Sequence, residues 1–304
     1  MTPLPLGDAV KTGLLATGWY ATRLGRDTFP GVLALCYHGV RESPEDDGLP
    51  FPHLHVVADI FEAQCRVIAE SCHPIDLATF CEARATGRPL PERPVLVTFD
   101  DGYRSVFELA RPILQRYKIP AVVFVCSEPV RRQRLFWFDA VARALGPGAI
   151  DQLRAQPDQI RRKAADAHDT PASADPRLAP MTDVHVRQLA DEGFAIGVHT
   201  ALHPPLAQSP PDIQRGELES CKSALESWTG LRIGSLAYPF GAPGTDYTEE
   251  TVAIASSLGF TSGFTTRNDF ARTTEPPLER SRFVVLSAVT AAELAHRIAY
   301  AWPR

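Results

Sequence analysis

Short runs of continuous apolar residues alternate along this chain with longer segments whose apolar positions recur every three or four residues. The first pattern predicts strands buried on both faces and the second predicts amphipathic helices. Residues 32–37 (VLALCY) read as a strand and 59–70 as a helix. A strand at 95–99 precedes a helix over 106–117, where Val106, Leu109, Ala110, Ile113, Leu114 and Tyr117 form one stripe. Residues 121–125 are another strand. Further on come a helix near 183–191 ended by Gly193, a strand at 194–198, a helix over about 212–228 and a strand at 235–238. A helix at 249–258 stops at Gly259 and leads to a strand at 260–264. A strand near 283–286 and a helix opened by the capping box Thr290-x-x-Glu293 complete the series.

Repeated β-then-α order predicts a parallel sheet, open or closed into a barrel, with functional residues at the carboxyl ends of its strands. The stretch from about 136 to 180 breaks the rhythm. It is polar, carries Pro157, Pro171, Pro176 and Pro180, and begins with Phe136-Trp137-Phe138-Asp139. It reads as an insertion with a helix or two and a flexible tail. The expected organisation is a single domain over 1–304, with a core at about 30–290 and the insertion at about 130–180.

Two clusters fall at predicted strand ends. Thr98-Phe99-Asp100-Asp101-Gly102 carries adjacent carboxylates, which point to opposite faces in extended chain and resist ionising together unless a cation neutralises one. His199-Thr200-Ala201-Leu202-His203 sets two imidazoles at i and i+4, on one face of a single helical turn that Pro204-Pro205 keeps from growing. Two His and one Asp suit a divalent cation with positions left open, and the second Asp remains as a base. Asp-Asp-Gly alone is ordinary turn sequence, and a His pair can arise by chance among nine histidines; their joint placement at strand ends favours the cation. Zinc suits this donor set first, with iron, manganese, cobalt and nickel as alternatives.

Composition removes other classes. At 44% hydrophobic and 22% charged, the 304 residues read as a globular chain able to bury a large core. A net charge of −5 without a basic stripe gives nucleic acid no electrostatic purchase. Arg131-Arg132-Gln133-Arg134 reads as a solvated turn. The six cysteines are scattered without a C-x-x-C pair, and Cys36 and Cys126 read as small core residues rather than disulfide partners. The apolar stretch 13–20 is too short and too late for a cleavable signal, and no run reaches the length of a membrane span. A cytoplasmic location is therefore expected, with a peripheral membrane contact through 13–20 as an alternative.

Thr98-Phe99-Asp100-Asp101-Gly102 followed by His199-Thr200-x-x-His203 resembles the polysaccharide deacetylases, the family-four carbohydrate esterases that share the NodB homology domain. The resemblance runs from about 33 to 286, with the insertion its least typical part. It implies a distorted (β/α) barrel and metal-dependent removal of an N-acetyl or O-acetyl group from a sugar or glycan. In that frame Asp100 is the general base, Asp101, His199 and His203 are the metal ligands, and Thr200 helps to orient them. Cys36-Tyr37-His38-Gly39-Val40 is similar to the Tyr-His motif of the circularly permuted deacetylases that act on poly-N-acetylglucosamine. Their early His replaces the late Leu-x-His of other members, which implies that His38 protonates the leaving amine. The late Leu-x-His has no good counterpart here, because the one histidine beyond His203, His296, falls in the predicted C-terminal helix.

One motif departs from the family. Ala237-Tyr238-Pro239-Phe240-Gly241 stands where many members have Arg-x-Pro-Tyr, so that Arg is absent. The oxyanion-binding amide then falls to Phe240, because a backbone donor does not depend on the side chain. An Arg for Asp100 is sought in 279–285, where the Arg-Ile/Phe-x-Val strand of the permuted members points to Arg282, and a surface Arg capping a strand edge stands as an equal reading. Trp137 reads as an anchor for the insertion rather than a sugar platform. His53, His55, His73, His168 and His185 are placed in loops or on polar faces without a role. Two other functions stand beside deacetylation: a non-sugar amide hydrolase of the same superfamily, and a catalytically silent glycan-binding domain. The complete set of Asp100, Asp101, His38, His199 and His203 argues against both, and the fold does not name the substrate.

Overall fold

A computed structural model describes residues 6–24, 28–44 and 48–300. Its strands are β1 (Leu33–Tyr37), β2 (Gly39–Arg41), β3 (His55–Val57), β4 (His73–Pro74), β5 (Pro94–Phe99), β6 (Ala121–Val125), β7 (Ala195–Val198), β8 (Ser235–Ala237), β9 (Ser262–Phe264) and β10 (Phe283–Val284). The main sheet runs β10-β1-β5-β6-β7-β8-β9, with β4 added to β5 and every pairing parallel. β2 and β3 form a separate parallel pair. A lone parallel bridge from Phe264 to Arg280 joins β9 to the segment entering β10, so the curled sheet returns on itself as a distorted barrel.

Strands β1, β5 and β6 are buried on both faces, as their near-continuous apolar runs require. Leu33, Leu35, Val95, Val97 and Phe99 belong to the large core beneath the outer helices. Their neighbours Ala34, Leu96, Val122, Phe124 and Phe264 form the barrel interior with Phe80 of helix Leu77–Thr86. Space there is short: a Cβ on Gly197 would lie 2.3 Å from the Phe124 ring.

The helices fall close to their expected positions, at Ala58–Ser71, Asp183–Asp191, Pro211–Thr229, Glu249–Ser257 and Ala291–Ala299. Three local expectations are corrected. The helix expected over 106–117 opens with a π-helical turn at Val106–Ala110 before α-helix Arg111–Arg116. Pro112 explains this, since it has no N–H for the Glu108 carbonyl and its ring crowds that oxygen. At Thr290 the hydroxyl caps Glu293 N–H, but the Glu293 carboxylate turns away to Lys11 and Arg297, so the reciprocal half of the box is missing.

The segment read as an insertion contains three α-helices, Trp137–Leu145, Gly148–Arg154 and Asp158–Ala167, and two short 3-10 turns at Ala172–Ala174 and Pro176–Leu178. Its tail is pinned rather than flexible. Asp175 accepts hydrogen bonds from Arg143 and Arg177, Arg104 N–H donates to Ala179 O at 2.8 Å, and Met181 N–H donates to Gly102 O at 2.9 Å.

Helices Asp8–Ala16 and Trp19–Leu24 lie on the C-terminal helix through Lys11–Glu293 at 2.6 Å and Tyr20 Oη to His296 Nδ1 at 3.1 Å. Leu14, Leu15 and Tyr20 are thus spent on the core. Among the described residues no helix is long and apolar enough to cross a membrane, and the six cysteines are free thiols.

Candidate active site

β5 ends at Phe99 and the chain turns at once. Asp100 N–H donates to Tyr37 O at 2.9 Å, and Gly102 N–H returns to Asp100 O at 2.9 Å. Asp101 lies between them at φ 71°. The two carboxylates are therefore separated by a left-handed turn and not by the alternation of a strand, a first correction to the sequence reading. The second concerns the histidines. His199 continues β7 by donating its N–H to Val125 O at 3.0 Å, but Thr200 (φ 66°) and His203 (φ 60°) are left-handed, so the pair does not ride on a helical turn. Proline at 204 and 205 and the cap from Thr200 Oγ1 to His203 N–H (2.9 Å) favour this compact loop over a helix. With Phe240 at φ 60°, four non-glycine residues of the site are left-handed, a conformation that costs roughly 1–2 kcal/mol each and persists only where surroundings enforce it.

The result is a tight donor set. Asp101 Oδ1 lies 3.4 Å from His199 Nε2 and 3.3 Å from His203 Nε2, and all three residues are buried. Asp101 Oδ1 accepts no hydrogen bond from the described residues. Burial pushes His203 down to about 3, leaving a neutral imidazole with a free lone pair. Two bonds of about 2.1 Å meeting at a tetrahedral angle place their outer ends about 3.4 Å apart, so the donors fit a zinc-sized cation. His199 Nδ1 donates to Ala237 O at 2.8 Å, which turns Nε2 toward Asp101.

Arg282 lies just before β10, at a level below Cys36 and Thr98 in the strand register. Its side chain rises through the barrel over Phe124 and Phe264. Nη1 and Nη2 then meet Asp100 Oδ1 and Oδ2 at 2.7 and 2.8 Å. Nη1 also donates to Thr98 Oγ1 at 3.1 Å, and Nε donates to Thr265 O at 3.0 Å. Burial would raise the Asp100 carboxyl, but Arg282, aided by His199 and His38, holds it well below the usual carboxylate range. Asp100 is thus kept ionised in a dry site.

A nitrogen of half-buried His38 lies within 4.8 Å of an Asp100 oxygen and of Cys36 Sγ. Cys36, read as a plain core thiol, in fact points at Asp100 Oδ2 (3.4 Å). Phe240 brings its ring within 4.8 Å of His203, while Arg154 of the insertion covers it at 4.7 Å and pairs with buried Asp246.

Trp137 anchors the insertion, and it does so at the site: Nε1 donates to His203 O at 3.1 Å. Phe138 packs on His203 at 4.8 Å. Neither contact has a sequence signal beyond the aromatic run. Nor does the buried pair of Tyr103 and Asp139, joined at 2.7 Å. Two of the histidines set aside are also placed otherwise. His55 is buried in β3 against Tyr103, and His185 caps helix Asp183–Asp191.

A parallel α/β barrel with carboxylates and imidazoles gathered at its strand ends defines a class of barrel proteins that carry their chemistry at the carboxyl ends of the strands. Within that class the family described as "Polysaccharide deacetylase" matches residues 87–263, more than half of the sequence, and the chain belongs to that family. Over 93 residues it is 36% identical to the poly-beta-1,6-N-acetyl-D-glucosamine N-deacetylase of Escherichia coli (strain K12), covering 30% of this chain and 13% of that protein. It is 27% identical over 121 residues to the enzyme of the same description from Staphylococcus aureus (strain MSSA476), covering 37% and 41%. The matches thus span less than half the length of these curated relatives. Among solved structures, Streptococcus pyogenes deacetylase PplD in complex with acetate superposes with a TM-score of 0.66 at 22% identity, over 89% of this chain and 99% of that one. IcaB from Ammonifex degensii gives 0.61 at 21% identity, over 88% and 97%. These likenesses show the shared fold.

Proposed function

We propose that the protein removes acetyl groups from an N-acetylated sugar or glycan with the help of a divalent cation. The observation that carries this reading is the buried Asp100 carboxylate, gripped by Arg282 beside the open donor set of Asp101, His199 and His203. A cation held by those three residues would polarise an acetyl carbonyl and make a water acidic. Asp100, fixed and ionised, takes the proton of the attacking water. Phe240 N–H supports the oxyanion as the carbonyl carbon becomes tetrahedral. His38, on the Asp100 side of the site, delivers a proton to the nitrogen as the C–N bond breaks, giving acetate and a free amino sugar. The relatives named for poly-beta-1,6-N-acetyl-D-glucosamine support that polymer as the first substrate to try.

The test is acetate release from β-1,6-linked N-acetylglucosamine oligomers and a panel of small N-acetyl glycosides, with cation content measured alongside. Wild type should release acetate. His199→Ala should lose both the cation and turnover, and Asp100→Asn should keep the cation while losing turnover. Undiminished acetate release by Asp100→Asn would refute the reading.

A further inference from the structure

The two candidate ligand histidines are held in different ways. His199 is oriented at its ring, through the hydrogen bond from Nδ1 to Ala237 O at 2.8 Å. His203 Nδ1 is buried with no hydrogen-bond partner among the described residues. Its imidazole must take its direction from the backbone that carries it, and that backbone is left-handed at φ 60°. Side chains hold this backbone: Thr200 Oγ1 accepts His203 N–H at 2.9 Å, Trp137 Nε1 donates to His203 O at 3.1 Å, and Glu217 Oε2 accepts Leu202 N–H at 2.8 Å.

Glu217 stands out among these three. It is a carboxylate 5% exposed, on helix Pro211–Thr229, a group costly to bury unless it is paired and hydrogen-bonded, and one of its oxygens is given to the ligand loop. Its other oxygen receives Arg162 Nη2 at 2.9 Å, which ties it to helix Asp158–Ala167 of the insertion. We infer that Glu217 is a positioning residue for His203, acting through the Leu202 amide. This rests on the reading of His203 as a cation ligand.

The test is Co²⁺ titration of the full chain against a chromophoric chelator, with the visible d–d absorption recorded. Outer partners of metal ligands govern affinity by about 10- to 100-fold, so Glu217→Ala should bind Co²⁺ at least about tenfold more weakly, with an altered spectrum. Glu217→Gln, which keeps an acceptor for Leu202, should stay within about threefold of wild type, as should Arg162→Gln, which breaks the ion pair and spares the Leu202 bond. Should Glu217→Ala not fold, Glu217→Asp keeps the charge and shortens the reach, and a loss of about fivefold or more is expected. Wild-type affinity and spectrum in Glu217→Ala, or in Glu217→Asp in its place, would overturn the inference. So would losses in Arg162→Gln equal to those of Glu217→Ala, because the ion-pair network alone would then account for them. A wild type that takes up no Co²⁺, or whose uptake survives His199→Ala, overturns the functional reading instead.

Discussion

The Asp100–Arg282 pair concentrates the energetics of the site in two side chains. Both are almost fully buried, and each satisfies the other through a two-point fork. Removing one member leaves a charge stranded in a dry interior, which costs far more than the pair is worth. Arg282→Met, similar in length and uncharged, is therefore expected to destabilise the fold by about 3–5 kcal/mol, read from denaturant midpoints. It should also let burial raise the Asp100 carboxyl, since burial is the main influence opposed by Arg282. Asp100→Asn should lower turnover by about 10²- to 10⁴-fold, the usual weight of a general base, without releasing the cation. The candidate ligands and the candidate base are legible in the sequence because their chemistry is rare and their spacing is short. Arg282 is legible through family resemblance alone, since 182 positions separate it from Asp100. Glu217 and Trp137 carry no signal of this kind. An acid on a helix and an aromatic in a core run look alike whether or not they touch a ligand loop, and tertiary approach alone gives them their place.

Single elements follow their apolar pattern closely, and their departures have local causes. Strand β6 is found where its run of apolar residues ends and begins, whereas Pro112 widens the helix after β5 and left-handed residues replace the helical turn expected at 199–203. Backbone handedness leaves no periodic trace in side-chain hydropathy, so such turns are invisible to the pattern. Helix Asp183–Asp191, which leads into β7, offers a test of pH dependence. His185 Nδ1 accepts Thr182 N–H at 3.3 Å, and its ring stacks on Phe107 at 4.2 Å. The bond needs a neutral imidazole. Burial lowers the His185 pKa below 6.5, helped by Arg104 and Arg111 and opposed by Glu108 and Asp183. The folded group thus binds protons less readily than the unfolded one, and its stabilisation is full above pH 6.5 and fades as pH falls below that value. Urea midpoints between about pH 7.5 and 5 should show the advantage of wild type over His185→Gln shrinking on acidification; parallel curves would contradict it. Gly197→Ala tests the barrel interior: the clash with Phe124 is expected to cost about 1–3 kcal/mol.

At the scale of the whole molecule, the β-then-α order is enough to specify a parallel sheet, but not the single bridge at Phe264–Arg280 by which that sheet meets itself. Arg282 reaches Asp100 across the adjacent strands β10, β1 and β5, while its Nε is held by Thr265 O just past β9 on the other side of the closure, so the site depends on the ring and not on any one unit. The proposed cation site has the same character. Asp101 follows β5 and the two histidines follow β7, with β6 lying between them in the sheet. Only the folded barrel assembles all three donors, while an unfolded chain keeps at most the local His199–His203 pair. Binding that is confined to the native state stabilises it by RT ln(1 + [L]/Kd), about 2.7 kcal/mol at a hundredfold excess over Kd. Zinc added to chelator-treated protein should therefore raise the thermal unfolding temperature in step with the logarithm of its concentration, by several degrees, and a chelator should reverse it. His199→Ala and Asp101→Asn each break the set from a different strand end, and either should abolish most of the zinc-dependent rise. A rise that persists in both variants would place the bound zinc elsewhere on the protein.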